Sequence, residues 1–261
     1  MHPVDTPRLD GIDVRVISMH RDVPPAIRRV FPMAKVLAAT DLCATSATML
    51  HTQGVITDEV FEAITLGRKY HYEMPTRGGV GLWQSVRMAL AQGSRPLLLF
   101  EEDCVPSLEL PIVVERLLGG SPTGTPRAAG KDTFDLAVFG PFWTDGFLAA
   151  EAIEHHGFGW CDGYFWGLHA VLYTAGGRAR ARAMLAGPVD LQLDGKFARL
   201  AQYGQPRNRR SRLRVLLQST GNPLARQADH KSGIQDGSLG APGSFGALGR
   251  AALLWVWRMV G

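Results

Sequence analysis

The segment PLLLFEED, residues 96–103, constrains this chain more than any other. Four consecutive large apolar residues, Leu97, Leu98, Leu99 and Phe100, suit a short element buried on both faces, as in a central strand. Three carboxylates, Glu101, Glu102 and Asp103, follow without a break. Open α/β sheets place ligands at the carboxyl ends of their strands. Three adjacent acids repel one another, and a hard divalent cation, Mn2+ or Mg2+, is the economical compensation. Alternation along an extended strand would put Glu101 and Asp103 on one side, facing one metal or one nucleotide. The competing use of these acids is to begin a loop and cap the helix after Pro106.

The remaining pattern predicts strands alternating with helices. Strands are expected at 14–19, 35–39, 96–100, 134–139, 169–173 and 213–218. Helices are expected from Pro24-Pro25 toward Phe31, through 58–66, from Gly81 to a stop at Gly93, and over 108–118, 177–185 and 193–202. This alternation implies an α/β fold, a single domain whose mainly parallel central sheet is flanked by helices. The domain is expected over 1–236, and 237–261 reads as a Gly-rich linker with a C-terminal apolar helix.

Charge and cysteine narrow the class of function. Lys+Arg 28 against Asp+Glu 24 leaves +4, too mild to make nucleic acid the default partner. The balance is uneven, because residues 178–214 carry ten Lys/Arg against two acids, Asp190 and Asp194. Arg178, Arg180 and Arg182 cannot share one helix face and read as solvated surface. Arg207, Arg209, Arg210, Arg212 and Arg214 could meet phosphates of a lipid-linked acceptor or an anionic membrane. Cys43, Cys104 and Cys161 form no CxxC pair, which favours a reducing compartment. Without a visible secretory signal, a cytoplasmic protein is expected. Residues 245–260 can dock on the core or lie in the inner face of a membrane as a peripheral contact.

Residues 139–166 carry nine of the 22 aromatics, five glycines, four acids and no Lys or Arg. Aromatic faces stack on the C–H face of sugars and carboxylates accept from their hydroxyls, so Trp143, Trp166 and Asp162 are candidate substrate contacts. Core packing is the alternative for any one ring. Ser18, His20 and Arg21, where the first strand ends, are candidates for a donor nucleotide or an ordinary turn. His230 could complete a metal shell.

At this point five blocks, in order, resemble the family 25 glycosyltransferases, which include bacterial lipooligosaccharide and procollagen galactosyltransferases. VRVISMHR resembles the family's first strand and turn, and PLLLFEEDCVP its LxLEDDV motif. GGVGLWQSV (78–86) resembles the GxxGCxxSH block, with Leu82 for Cys and Val86 for His. GLHAVLY (167–173), Gly176-Gly177-Arg178 and Pro188-Val189-Asp190 resemble a strand, a helix and a PVD turn. RQAD (226–229) with SGIQ (232–235) resembles the closing QxD and SDIQ element, Gly233 replacing Asp.

The resemblance implies a Rossmann-like GT-A domain and an inverting transfer of galactose or glucose from a UDP-sugar donor to a glycan or lipid-linked acceptor, in bacterial surface-glycan assembly. Glu101 and Asp103 would then hold ribose and metal, with Glu102 secondary. Asp190 would be the general base, with Asp194 and Asp162 as competitors. His169, Gln227 and Asp229 would lie at the substrate. Two other readings stay open: an inactive glycosyltransferase-like protein that binds glycans or membranes, and a metal-dependent nucleotidyltransferase.

Overall fold

The apolar run at 97–100 is a strand, and an α/β sheet is built around it. The computed structural model describes residues 9–66, 75–119, 134–141, 143–144, 147–149, 157–204, 212–218 and 223–228. Strand β1 (Asp13–Ser18), helix α1 (Pro25–Val30), β2 (Lys35–Ala38), α2 (Ala47–Thr52), α3 (Asp58–Leu66) and α4 (Arg77–Ala91) lead to β3 (Leu97–Glu101). Next come β4 (Cys104–Pro106), α5 (Leu110–Leu117) and β5 (Leu136–Val138). Short strands β6 (Trp143–Thr144), β7 (Phe147–Ala149), β8 (Phe158–Cys161) and β9 (Phe165–Trp166) precede β10 (Ala170–Tyr173). Helices α6 (Ala175–Met184) and α7 (Leu193–Gln202) and strands β11 (Val215–Gln218) and β12 (Ala225–Gln227) follow.

Eight strands form the main sheet in the order β2-β1-β3-β10-β5-β11-β8-β7. Strand β1 is parallel to β2 and β3, and β5 is parallel to β11. Strand β10 runs antiparallel to β3 and β5, and β8 antiparallel to β11 and β7. Among the described residues the sheet is therefore mixed, with three parallel pairings of seven, which corrects the expectation of a mainly parallel sheet. Apolar run length reports burial on both faces and carries no information about direction.

Period-two alternation sends successive side chains of each central strand into separate cores. Leu97 and Leu99 of β3, Val171 and Tyr173 of β10, and Leu136 and Val138 of β5 pack on one face with Leu50 of α2, Val60 of α3, Trp83 and Val86 of α4, and Phe197 of α7. Leu98, Phe100, Ala137 and Leu172 pack on the other with Ile27 of α1 and Val113 and Val114 of α5. Full burial of a Leu or Phe contributes about 1.5–3 kcal/mol, so β3 is among the most stabilising strands of the sheet.

Helix α4 starts at Arg77, ahead of the expected Gly81, because Thr76 caps it, its Oγ1 accepting from Gly79 N at 3.0 Å. Gly81 then sits where a Cβ would collide with the Thr40 carbonyl oxygen. That close approach lets Ser85 Oγ accept from Thr40 N at 2.8 Å.

The edge where β1, β3, β5 and β11 begin is sealed by paired charges. Arg178 of α6 is 1% exposed, and donates to Leu90 O (3.1 Å), Ala89 O (2.7 Å), Arg95 O (3.0 Å) and Asp13 Oδ2 (3.3 Å). The carboxylate of Asp135, just before β5, accepts from Arg180 (2.9 Å) and from Arg214 N (2.8 Å). Reading Arg178 as solvated surface is thus corrected: it bolts the end of α4 to the sheet, satisfying carbonyls that a helix terminus leaves open. Its acceptors lie 83 to 165 residues away in sequence, beyond the reach of a helix-face argument.

Candidate active site

The acidic segment stands at the opposite edge, where the parallel strands end. Strand β3 stops at Glu101, and residues 102–103 form a turn into β4. The alternation expected to align Glu101 with Asp103 therefore does not apply, because the backbone leaves the extended form between them. Glu101 keeps the parity of Leu97 and Leu99 and faces a small cavity of about 10 Å³, close to one water in size. Its walls include Leu82 and Val86 of α4, Leu168, Tyr173 and Leu193. Burial, reinforced by the nearby charges of Asp103, Asp194 and Glu102, pushes the Glu101 carboxyl up to about 8. Leu82 and Val86 are the two positions at which the 78–86 block departs from its Cys and His pattern.

Glu102 serves β1. Its Oε2 accepts from Ser18 Oγ at 2.8 Å and from Met19 N at 2.9 Å, while His20 N donates to Ser18 Oγ at 3.1 Å. The structure thereby brings together Ser18, Glu102 and the backbone of His20. His20 and Arg21 are exposed, and Arg21 adopts φ 56°, a left-handed turn that carries the chain away from the strand end.

Asp103 is held from the far end of the described chain. Strand β12 pairs antiparallel with β4, and in that register Gln227 stands opposite Cys104. Gln227 Nε2 donates to Asp103 Oδ2, and Ala228 N donates to Asp103 O at 2.7 Å. Asp103 is 8% exposed, and its Oδ1 takes no hydrogen bond among the described residues. An orphaned, buried carboxylate oxygen is a costly arrangement that a cation or a ligand hydroxyl would relieve. Among the described residues no three His, Cys, Asp or Glu side chains are grouped to hold a metal ion. Asp229 and His230 lie outside the described residues.

Gly140 explains why β12 fits so closely. It has φ 61°, and a Cβ there would collide with the Ala225 carbonyl oxygen. Gln218 Oε1, at the end of β11, accepts from Gly140 N (3.1 Å) and Leu224 N (2.9 Å), joining both segments. His169 is buried, with Nε2 3.4 Å from Ala225 O, and burial pushes its pKa down. His169, expected at the substrate, lies against β12 at this edge, just before the strand β10 that enters the sheet here.

The aromatic segment divides. Phe139, Tyr164, Phe158 and Phe165 are core residues, so most of its described rings pack inward. Trp160 lies under the Arg214 guanidinium, 4.9 Å from the ring centroid, so a cation from elsewhere in the chain covers part of the segment. Trp166 is half-buried, edge-on to Tyr164 at 5.5 Å, and pairs in register with Trp143, whose side chain is outside the description. Asp162 is exposed in the β8–β9 connection. Gly167 N donates to Asp194 Oδ2 at 3.5 Å, so Asp194 links the aromatic segment to the acids around Glu101.

Asp190 occupies a pinned turn before α7. Val189 N donates to Val55 O (2.8 Å), Thr57 N donates to Val189 O (3.1 Å), and Trp83 Nε1 donates to Leu191 O (3.0 Å). The N-cap of α7 is Gln192, so Asp190 does not cap the helix. Lys196 of α7 pairs with Asp190 Oδ2 at 2.5 Å. Sequence reasoning missed Lys196, Gln218 and Tyr173. The available signal for Lys196 was its place as the lone lysine between the PVD turn and the end of α7.

No helix among the described residues is long and apolar enough to cross a membrane. Residues 207–210 and 245–260, expected at phosphates or a membrane, lie outside the described residues. No protein-family model matches the chain, and no curated protein matches it significantly.

Proposed function

We propose that this chain is an inverting, divalent-metal-dependent glycosyltransferase with a GT-A domain, moving galactose or glucose from a UDP-sugar to a glycan or lipid-linked acceptor. The observation that carries the reading is the uncompensated acid cluster where the parallel strands end, above all the buried, open Oδ1 of Asp103. Carboxylate oxygens are the donors that Mn2+ or Mg2+ prefers, and Asp103 with Glu101 would hold the ion, His230 adding to the shell. When bound, the ion supplies positive charge opposite the donor diphosphate.

The chain's own residues supply the rest. Ser18 and Glu102 fix the β1 turn that presents His20 and Arg21 to the nucleotide. Trp166 offers a ring face to the sugar, with Asp162, Asp194 and Gln227 as hydrogen-bond partners. Asp190 accepts the proton of the attacking hydroxyl. Residues 245–260 would bring a cytoplasmic enzyme to a membrane that carries its acceptor.

Calorimetry with UDP, with and without manganese, tests the reading. UDP should bind more tightly with the metal, and Asp103→Ala should erase that gain. UDP binding indifferent to both would sink the mechanism. The apolar walls that Leu82 and Val86 place around Glu101 favour one second reading, an inactive protein that binds glycans or membranes through the same architecture. Manganese-dependent UDP binding without turnover on any UDP-hexose would select it.

A further inference from the structure

We infer that the sheet edge where β1, β3, β5 and β11 begin is a docking surface for a bilayer with anionic lipid headgroups, with the acid cluster held on the side away from the membrane. Docking of this kind needs no turnover and is independent of the reaction proposed for the acid edge. The described segments that lead into these strands, together with β1 and the first turns of α6, carry six arginines: Arg15, Arg95, Arg178, Arg180, Arg212 and Arg214. They carry three acids, Asp10, Asp13 and Asp135. A surface with that imbalance attracts anions.

The six lie in one connected group. Asp13 accepts from Arg15 at 2.9 Å and from Arg178 at 3.3 Å, and Arg178 also donates to the Arg95 carbonyl at 3.0 Å. Asp135 accepts from Arg180 at 2.9 Å and from Arg214 N at 2.8 Å, and Arg212 stands two residues before Arg214. Gly177 of α6 joins the two sets, since a Cβ there would collide with the Asp135 carbonyl oxygen. The buried Arg178 adds charge and rigidity. Those facing outward are Arg95, Arg212 and Arg180, whose side chain is 48% exposed. Arg95 and Arg212 meet no carboxylate among the described residues, so their charge is open to a partner.

Helix α7 brings an aromatic ring to the same edge. Leu213 N donates to Leu200 O at 3.0 Å, which ties the last turn of α7 to the segment before β11, and the C-cap residue Tyr203 is 50% exposed there. Guanidinium forks match phosphate oxygens two at a time, and a tyrosine with an apolar body and a polar tip suits the headgroup level of a bilayer. A nucleic acid fits less well. Base stacking uses open ring faces, and the Trp160 ring is covered by Arg214 at 4.9 Å. The two ends of the sheet also differ in sign. Strand β3 has five residues, so Glu101 and its neighbouring acids stand about 15 Å from the arginines. An anionic bilayer attracts one end and repels the other, which orients the chain with its acids toward the aqueous side.

The test floats the full chain with vesicles of phosphatidylcholine alone or of phosphatidylcholine and phosphatidylglycerol in equal parts. The chain should rise with the mixed vesicles at low salt, stay behind with the neutral ones, and be released as salt is raised. Arg95→Gln with Arg212→Gln should weaken binding about tenfold or more, since each basic residue at an anionic surface contributes about fivefold. Arg95→Lys with Arg212→Lys keeps the charge and should retain most of the binding. Arg28→Gln with Arg29→Gln removes the same charge from exposed positions of α1 and should cost less than about threefold. Hydrogen exchange on the bound chain should slow at residues 92–95 and 212–214 and stay unchanged at 101–107. No flotation with the mixed vesicles would overturn the inference, as would equal losses in the two glutamine pairs or protection at the acid edge. Binding carried by residues 245–260 would persist in Arg95→Gln with Arg212→Gln, and would overturn it while leaving the glycosyltransferase reading untouched. Tighter binding to duplex DNA than to the mixed vesicles would assign the edge to nucleic acid instead.

Discussion

The two edges of the central sheet treat charge in opposite ways. Where β1, β3 and β5 begin, every described acid that meets the strands has a partner: Asp13 takes Arg15 and Arg178, and Asp135 takes Arg180 and the backbone of Arg214. Where those strands end, Glu101, Glu102, Asp103 and Asp194 crowd together, Asp103 keeps an open oxygen, and Glu101 is driven up to about 8. Removing one partner of a buried ion pair destabilises a fold, so paired charges belong to architecture. Crowded acids destabilise it too, and persist where a ligand or reaction uses them. The contrast separates acids that hold the sheet through partners from acids the fold leaves crowded.

The largest expected effect is at the paired edge. Arg178→Ala should cost about 3–5 kcal/mol in chemical denaturation, because the Ala89, Leu90 and Arg95 carbonyls and Asp13 each lose a donor at once, Ala89 O keeping Gln92 N and Asp13 keeping Arg15. A loss below about 1 kcal/mol would break the comparison. Gly140→Ala should follow at about 3 kcal/mol, since the residue needs φ 61° and the methyl meets the Ala225 carbonyl. Here the fall in stability should be joined by weaker UDP binding, whereas Arg178→Ala protein that remains folded should bind UDP normally.

The acid edge should respond with the opposite sign. Glu101 has a folded-state value near 8 against an ordinary 4.5. Between those values the folded chain keeps a proton that the unfolded chain releases, so stability declines as pH rises through that window. Glu101→Gln should therefore raise the melting temperature at pH 8, by on the order of 2 kcal/mol of stability, and change little near pH 4.5. A variant equally stabilised, or destabilised, at both pH values would contradict the crowding. The smallest effect is expected from Ser18→Ala, about 1 kcal/mol, as Glu102 loses one of its two donors at the β1 turn and keeps Met19 N.

How far these edges were legible in the sequence depends on distance along the chain. The cores of β1, β2, β3, β5, β10 and β11 were written in short β-branched and leucine runs, α4 was readable from its apolar spacing, and α3 from the Thr57-Asp58 pair that starts it. The direction of β10 was not, because Ala170 to Tyr173 is apolar on both faces whichever way it runs. The excursion through β6 to β9 was hidden inside an aromatic segment whose described rings serve mostly as core. At the site, the acids and the Gln227 block were visible as residue types, and their meeting was not, since the Gln227 bond to Asp103 spans 124 residues. Arg178 misled for the same reason: a charge on a helix reads as solvated until the carbonyls it caps are seen. Asp190 was visible as an acid before a helix, but only its missing cap and its Lys196 partner separate it from an ordinary helix start.

The pairing of β4 with β12 also sets a clock on biosynthesis. At roughly 5–20 residues per second, about 6–25 s separate the emergence of Asp103 from that of Gln227. During that interval β1, β2 and β3 can already pair, while the acidic turn waits for the strand that closes over it. A ribosome-bound chain truncated before residue 225 would therefore carry a formed sheet edge and an unfinished site, so ligand binding should arise late in translation, after most of the fold is in place.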